Sequence, residues 1–235
     1  MFNFAGKSIL VTGGTSGIGR AVAQAFAAAG ATVVVAVGLP GLEPSADGIR
    51  DEHLDVSDTG AVRQLLSSIP KLDVLVNAAG MIRRDDEFDI DVFAQVVDVN
   101  LTGTMRLCTT AHPLLQKTRG CIVNVASLLS FFGGARVPAY SASKGGIAQL
   151  TRSLALAWAQ DGIRVNAVAP GWIATPLTQA LQDDPARSAG LLSRTPFARW
   201  GQPEEIAGPV LFLCSDAASF MTGAIVPVDG GYSAA

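Results

Sequence analysis

Apolar, strand-length runs alternate with helix-patterned segments along the whole of this 235-residue chain, and that alternation leaves few architectures open. The spacing predicts strands over 8–12, 32–37, 52–56, 72–77, 121–126, 163–169 and 224–228. Between them it predicts helices over 17–29, 58–68, 91–115, 139–161 and 203–214. The stretch Val33 to Val37 is apolar throughout, as a strand buried on both faces must be. Strands separated by helices form right-handed crossovers, so the expectation is α/β: one doubly wound parallel sheet with helices on both faces.

At 235 residues the chain is long enough to bury a full core as a single domain over 1–235. Net charge is −3 with no basic run, which argues against a nucleic-acid surface. No apolar stretch reaches the roughly 20 residues of a membrane span. The first residues, Met1-Phe2-Asn3-Phe4, lack the basic start and apolar core of a signal peptide. Cys108, Cys121 and Cys214 are odd in number and scattered, and read as reduced core residues of a cytoplasmic protein. His53 and His112 have no ligand-like spacing, so no metal site is expected. Residues 38–54 carry Gly38, Pro40, Gly41, Pro44 and Gly48, and predict an irregular loop where a crossover helix would ordinarily sit. Residues 174–201 are rich in Pro, Arg and polar side chains and follow a strand's C-terminal end. They read as a substrate lid.

The turn after the first strand is Thr12-Gly13-Gly14-Thr15-Ser16-Gly17-Ile18-Gly19. Glycines there let a pyrophosphate approach the N-terminus of the next helix, so the site expected is a nucleotide site in a Rossmann-like fold. The spacing is G-x-x-x-G-x-G, a departure from the common G-x-G-x-x-G.

Farther along stand Ser127, then Tyr140 and Lys144 in the frame Y-S-A-S-K. Side chains four apart on a helix share a face. A phenol titrates near pH 10, too high for easy proton transfer at neutrality, and a close ammonium favours the phenolate. Lowering the pKa by about three units takes roughly 4 kcal/mol, within reach of a close charge in a partly dry cleft. A Tyr and a Lys at this spacing also arise often on helix surfaces, so the pair gains meaning only from the rest of the chain.

Taken in order, Thr12 to Gly19, Asp55-Val56, Asn77-Ala78-Ala79-Gly80, Asn100, Ser127, Tyr140 with Lys144, Pro170-Gly171 and Val228-Asp229-Gly230-Gly231 resemble the short-chain dehydrogenase/reductase family over nearly the whole chain. The resemblance implies an oxidoreductase that interconverts a secondary alcohol and a ketone with NAD or NADP. It implies that Tyr140 moves the proton at the substrate oxygen and that Lys144 lowers the pKa of Tyr140 and holds the nicotinamide ribose. Ser127 would hold the substrate oxygen, and Asn100 a relay water. It further implies cofactor contacts from Gly13, Thr15, Ser16, Gly17, Ile18 and Gly19, from Gly38 and Leu39, from Asp55 and Val56 (adenine), and from Asn77, Ala78, Ala79 and Gly80. Pro170, Gly171, Ile173 and Thr175 would meet the carboxamide. A homotetramer is the usual assembly.

The family reads the adenosine 2′ position at the end of the second strand, where an acid favours NAD and a following base NADP. Here Val37-Gly38-Leu39 carries neither, and the loop holds Glu43 and Asp47 with no cation before Arg50. The reading is NAD, with NADP open should the loop deliver Arg50.

Outside the common motifs, Gly80-Met81-Ile82-Arg83-Arg84, Ala126 to Phe131, Gly134 to Pro138 and Arg199-Trp200-Gly201 are similar to bacterial sugar-acid dehydrogenases that act on gluconate and deoxygluconates. Arginine forks bind carboxylates bidentately, so Arg83, Arg84 and above all Arg136 are candidates for a sugar-acid carboxylate. Surface or subunit-interface arginines would look the same in sequence. Trp172 and Gln179 are candidate lid contacts. A 3-oxoacyl-carrier-protein reductase shares the chemistry but wants a basic surface for an acidic carrier. A dinucleotide sensor without catalysis would be expected to lack Tyr140 or Lys144.

Overall fold

The computed structural model describes residues 2–38 and 48–235. In chain order the elements are β1 (Ser8–Thr12), α1 (Gly17–Ala28), β2 (Val33–Gly38), β3 (Ile49–His53), α2 (Thr59–Ser67), β4 (Val74–Asn77), α3 (Ile90–Val97), α4 (Gly103–Thr118), β5 (Cys121–Val125), α5 (Pro138–Ala157), β6 (Arg164–Pro170), α6 (Gln179–Gln182), α7 (Pro185–Leu192), α8 (Pro203–Cys214) and β7 (Ile225–Val228). The seven strands form one parallel sheet in the order β3-β2-β1-β4-β5-β6-β7. The chain winds outward from β1 through β3, returns, and winds the other way from β4. The crevice where the winding reverses lies at the C-terminal ends of β1 and β4, where open α/β sheets bind ligands.

Alternate residues of each strand enter opposite cores. Ile9, Val11, Val34, Val74, Val76 and Val123 pack with Val22 and Phe26 of α1 and with Ile206, Val210 and Leu213 of α8. Their neighbours Leu10, Val35, Leu75 and Ile122 pack against Leu66 of α2, Leu107 and Leu115 of α4, and Leu154 of α5. The apolar runs in the sequence are therefore strands with helices on both sides.

Three expectations need correction. The third strand spans Ile49–His53, three residues before the expected 52–56. Its register is fixed by pairing Val34 with Ile49 through Gly38 with His53. Leu54 and Val56, which drew the reading, are buried in the core beyond the ladder. The strand also begins inside the segment expected to be irregular, of which 39–47 lies outside the described residues. Finally, the helix expected over 91–115 is two helices, α3 and α4, joined by a π-helical turn at Asp98–Thr102. Asp58 caps α2, accepting from the N–H groups of Gly60 and Ala61 at 2.7 and 3.0 Å.

Candidate active site

The glycine turn opens α1 toward the crevice. Gly13 adopts φ +65°, and a Cβ there would stand 2.7 Å from the carbonyl oxygen of Ala78 and the nitrogen of Ala79. A Cβ on Gly19 would overlap the Gly13 carbonyl. The turn is thus seated on the end of β4 with room for nothing larger, and it leaves the N-terminus of α1 bare for an anionic group. These residues fit a dinucleotide pyrophosphate.

A cavity of about 180 Å³ runs from this turn across the sheet. Gly13, Ser16, Gly17, Ile18, Gly19, Ala78, Gly80, Ser127, Tyr140, Lys144, Pro170, Gly171, Ile173 and Thr175 all line it. Tertiary structure therefore brings together most of the residues singled out in sequence. Thr15 is not among the lining residues; it packs against Gly38 at the end of β2 so closely that a Cβ on Gly38 would overlap its hydroxyl. Leu39 lies outside the described residues. Asp55 is exposed, and Ser57 donates to its Oδ1 from both N–H and hydroxyl, at 2.8 and 2.7 Å. Those bonds hold the carboxyl below its ordinary pKa. Val56 is buried, and its carbonyl accepts from Arg106 at 2.7 Å. Ala79 donates to Thr12 Oγ1 at 3.2 Å. Asn77 turns its side chain into the sheet interior, where Nδ2 donates to Asn124 Oδ1 at 2.9 Å. It braces β4 against β5 and does not line the cleft.

Tyr140 and Lys144 share one face of α5, and Lys144 Nζ lies 5.6 Å from the centroid of the Tyr140 ring. Ser127 follows β5 and caps a short 3-10 turn, its hydroxyl accepting from Leu129 N at 3.1 Å. Ser130 ties this turn to α5: its hydroxyl donates to the Lys144 carbonyl at 2.7 Å and accepts from Ser127 N at 3.3 Å. Asn100 sits in the π-helical turn, 1 % exposed. Its amide clasps the backbone of Met81, accepting from N at 2.8 Å and donating to O at 2.9 Å, and reaches Ser143 Oγ at 3.1 Å.

The expected electrostatics of the pair are corrected here. Burial pushes the Tyr140 phenol above its ordinary pKa. A hydrogen bond with Ser127 and the charge of Arg84 pull it down, while Glu87 adds to the rise. Lys144 is itself buried, donates to the Val125 carbonyl at 2.6 Å, and is lowered by desolvation to about 8. Loss of water around both groups outweighs the attraction the sequence suggested.

A second cavity, of about 720 Å³, shares Ser127, Tyr140, Pro170 and Gly171 with the first. Arg84, Arg136 and Arg194 line it, and among the described residues no Asp or Glu does. The fork of Arg136 is closed on Asp85, with Nε donating to Oδ1 at 2.5 Å and Nη2 to Oδ2. The arginine favoured in sequence is thus already paired, because the Asp85 N–H bonds the Arg136 carbonyl and brings the two side chains together. Arg83 does not line the cavity, and Gln179 turns to Asp183 at 2.8 Å. Trp172 does line it, edge-on to Tyr232 and Trp200. Residues 174–201 carry α6 and α7, and Arg199 at their end pairs with Glu205 of α8 at 2.6 Å.

Sequence reasoning missed Glu87, Arg194, Tyr232 and Ser130. Glu87 is 1 % exposed yet sits in the acidic run Asp85-Asp86-Glu87, which reads as a solvated surface. The arginine enrichment of 174–201 was the one signal for Arg194.

A family model described as enoyl-(acyl carrier protein) reductase matches residues 13–233. The chain is 41% identical to 2-dehydro-3-deoxy-D-gluconate 5-dehydrogenase of Pseudoalteromonas atlantica, over 98% of this chain and 97% of that protein. It is 42% identical to cis-4-hydroxycyclohexanecarboxylate dehydrogenase of Sinomonas cyclohexanicum, over 98% of each chain. The crystal structure of a gluconate 5-dehydrogenase from Burkholderia cenocepacia with NADP and tartrate superposes with TM-score 0.91 at 33% identity, covering 100% of this chain and 98% of that one. With its parallel sheet, its glycine turn and its Ser-Tyr-Lys cluster, this chain belongs to the short-chain dehydrogenase/reductase family and is an NAD(P)-dependent oxidoreductase acting on CH–OH groups.

Proposed function

We propose that the protein interconverts a secondary hydroxyl and a ketone on a sugar acid or a related hydroxy acid, using NAD(H). The observation that carries this reading is the pair of joined cavities: one leads from the glycine turn to Tyr140, and the other continues from Tyr140 into a chamber with three arginines and no carboxylate among the described residues. A cationic chamber of this size accepts a small polyhydroxylated anion. The relatives named above are dehydrogenases of a deoxygluconate, of gluconate and of a hydroxycyclohexanecarboxylate, which share a carboxylate and a hydroxyl on one small molecule.

Held along the cavity from the glycine turn to Tyr140, a nicotinamide cofactor would supply the hydride for reduction of the ketone or accept it in oxidation of the alcohol. Tyr140 supplies the matching proton to the ketone oxygen in reduction and removes it in oxidation. Ser127 holds that oxygen beside the phenol. Lys144 would hold the ribose, and the relay water would link its ammonium to solvent. Asn100 holds the Met81 turn and, through the opened π-helical turn, the relay water. Gly13, Ser16, Gly17, Ile18 and Gly19 receive the pyrophosphate, Asp55 the adenine, and Pro170, Gly171, Ile173 and Thr175 the carboxamide. NAD over NADP rests on Val37, which is fully buried, and on a following loop whose sequence holds two acids and no base. Residues 174–201 act as the lid over the chamber.

A cytoplasmic homotetramer completes the proposal. It is supported by exposed Leu156 on α5 and Phe220, by free Cys108, Cys121 and Cys214, and by the lack, among the described residues, of a helix long and apolar enough to cross a membrane.

The test is initial rates with NAD and NADP across sugar acids, neutral polyols and a 3-oxoacyl thioester. Preference for a sugar acid with NAD is expected. Activity confined to the thioester with NADPH would overturn both parts.

A further inference from the structure

Of the three arginines around the chamber, Arg194 stands in a distinct setting. Arg136 is neutralised by Asp85. Arg84 is half-buried beside the carboxylates of Asp85 and Glu87 and the cations of Arg136 and Arg187, so its field is shared among opposed charges. Arg194, just past α7, has no carboxylate partner among the described residues. Its guanidinium lies 4.7 Å from the centroid of the Tyr232 ring. That contact covers one flat face and leaves the N–H edges free, which is the presentation a carboxylate needs for two parallel hydrogen bonds. The platform is itself braced: Tyr232 meets Phe132 at 6.3 Å and Trp172 at 6.4 Å, both edge-on and both lining the chamber.

We propose that Arg194, steadied on Tyr232, is the specificity residue that receives the substrate carboxylate. This rests on the sugar-acid reading above. Arg194 lies in the segment 174–201, whereas Ser127 and Tyr140 belong to the body of the sheet. Binding of the carboxylate therefore fastens that segment over the reacting carbon, and the end of the substrate remote from the chemistry orients it. A neutral polyol of the same length fits the chamber but leaves the Arg194 fork without its partner.

The experiment compares kcat/KM for a turned-over sugar acid and for its alditol, in which –CH2OH replaces the carboxylate. It uses the wild type, Arg194→Met, Arg194→Lys and Tyr232→Leu. Arg194→Met is expected to lose about 100-fold on the acid, chiefly in KM, and under threefold on the alditol. Arg194→Lys keeps the charge without the fork and recovers about a tenth of the wild-type value. Tyr232→Leu, which leaves Arg194 in place without its platform, loses about tenfold on the acid alone. Thermal midpoints and dinucleotide binding confirm that each variant is folded. Equal losses on acid and alditol, or an undiminished preference for the acid in Arg194→Met, would overturn the role of Arg194 while leaving the sugar-acid reading intact. A wild type that turns over the alditol as well as the acid would overturn that reading and this inference with it.

Discussion

The carboxylate of Glu87 accepts the backbone N–H of Tyr140 at 2.8 Å and that of Arg83 at 2.9 Å, and it is 1 % exposed. Tyr140 stands in the first turn of α5, a helix whose N-cap, Val137, offers no side-chain acceptor and whose first residue is Pro138. The orphan N–H in the first turn of α5 is thus capped from a different segment, the loop that also carries Arg84. An anion there suits the helix dipole.

Glu87 therefore has two measurable effects. Replacing it with Ala leaves two partly buried N–H groups without this partner, and about 1–3 kcal/mol of stability should be lost in denaturant unfolding. Glu87→Gln removes the charge and keeps the shape, while its amide nitrogen gives up one of the two accepted N–H bonds. Because Glu87 raises the Tyr140 pKa, the rise of the oxidation rate with pH should move to lower pH in Glu87→Gln. An unmoved profile would limit Glu87 to a structural role.

Tyr140→Phe retains the ring and removes the proton donor. Turnover should fall at least 1,000-fold, the order expected for loss of a general acid–base group, while dinucleotide binding measured by fluorescence titration stays within a few fold. Retained turnover would assign the proton transfer to another group.

Lys144 makes stability depend on pH. Its folded value of about 8 lies below the ordinary 10.5, so between these pH values the unfolded chain holds a proton that the folded chain has released. Stability then rises with pH across that window, by up to about 3 kcal/mol from this group. Below pH 8 both states are protonated and the full cost of burying the ammonium is present. Lys144→Met should gain stability relative to wild type most at pH 7 and least at pH 10, compared by urea midpoints without dinucleotide. A difference independent of pH would mean that Lys144 titrates normally.

Gly13→Ala places a methyl group against the Ala78 carbonyl and the Ala79 nitrogen at a left-handed φ of +65°. The turn must shift away from β4, and dinucleotide affinity should weaken at least tenfold by calorimetry. Gly133→Ala, where a Cβ meets nothing within 4 Å, serves as the comparison and should leave dinucleotide affinity within twofold.

Local sequence was enough for the strand-and-helix order, the glycine turn and the Ser127, Tyr140 and Lys144 cluster, because periodicity and short spacing carry those features. It located Ser8–Thr12 and Pro203–Cys214 to the residue. It could not place β3, since an edge strand is defined by its hydrogen-bonding neighbour and its own side chains are polar and half-exposed. Charge pairing was equally hidden. Asp85 and Arg136 lie 51 positions apart, and only the folded chain reveals that their meeting occupies the arginine favoured in sequence, whereas Arg194 has no carboxylate partner among the described residues. The pKa of Tyr140 was likewise decided in three dimensions. Spacing along a helix sets which groups are near, but the water excluded by the surrounding sheet and loops sets which protonation state is favoured.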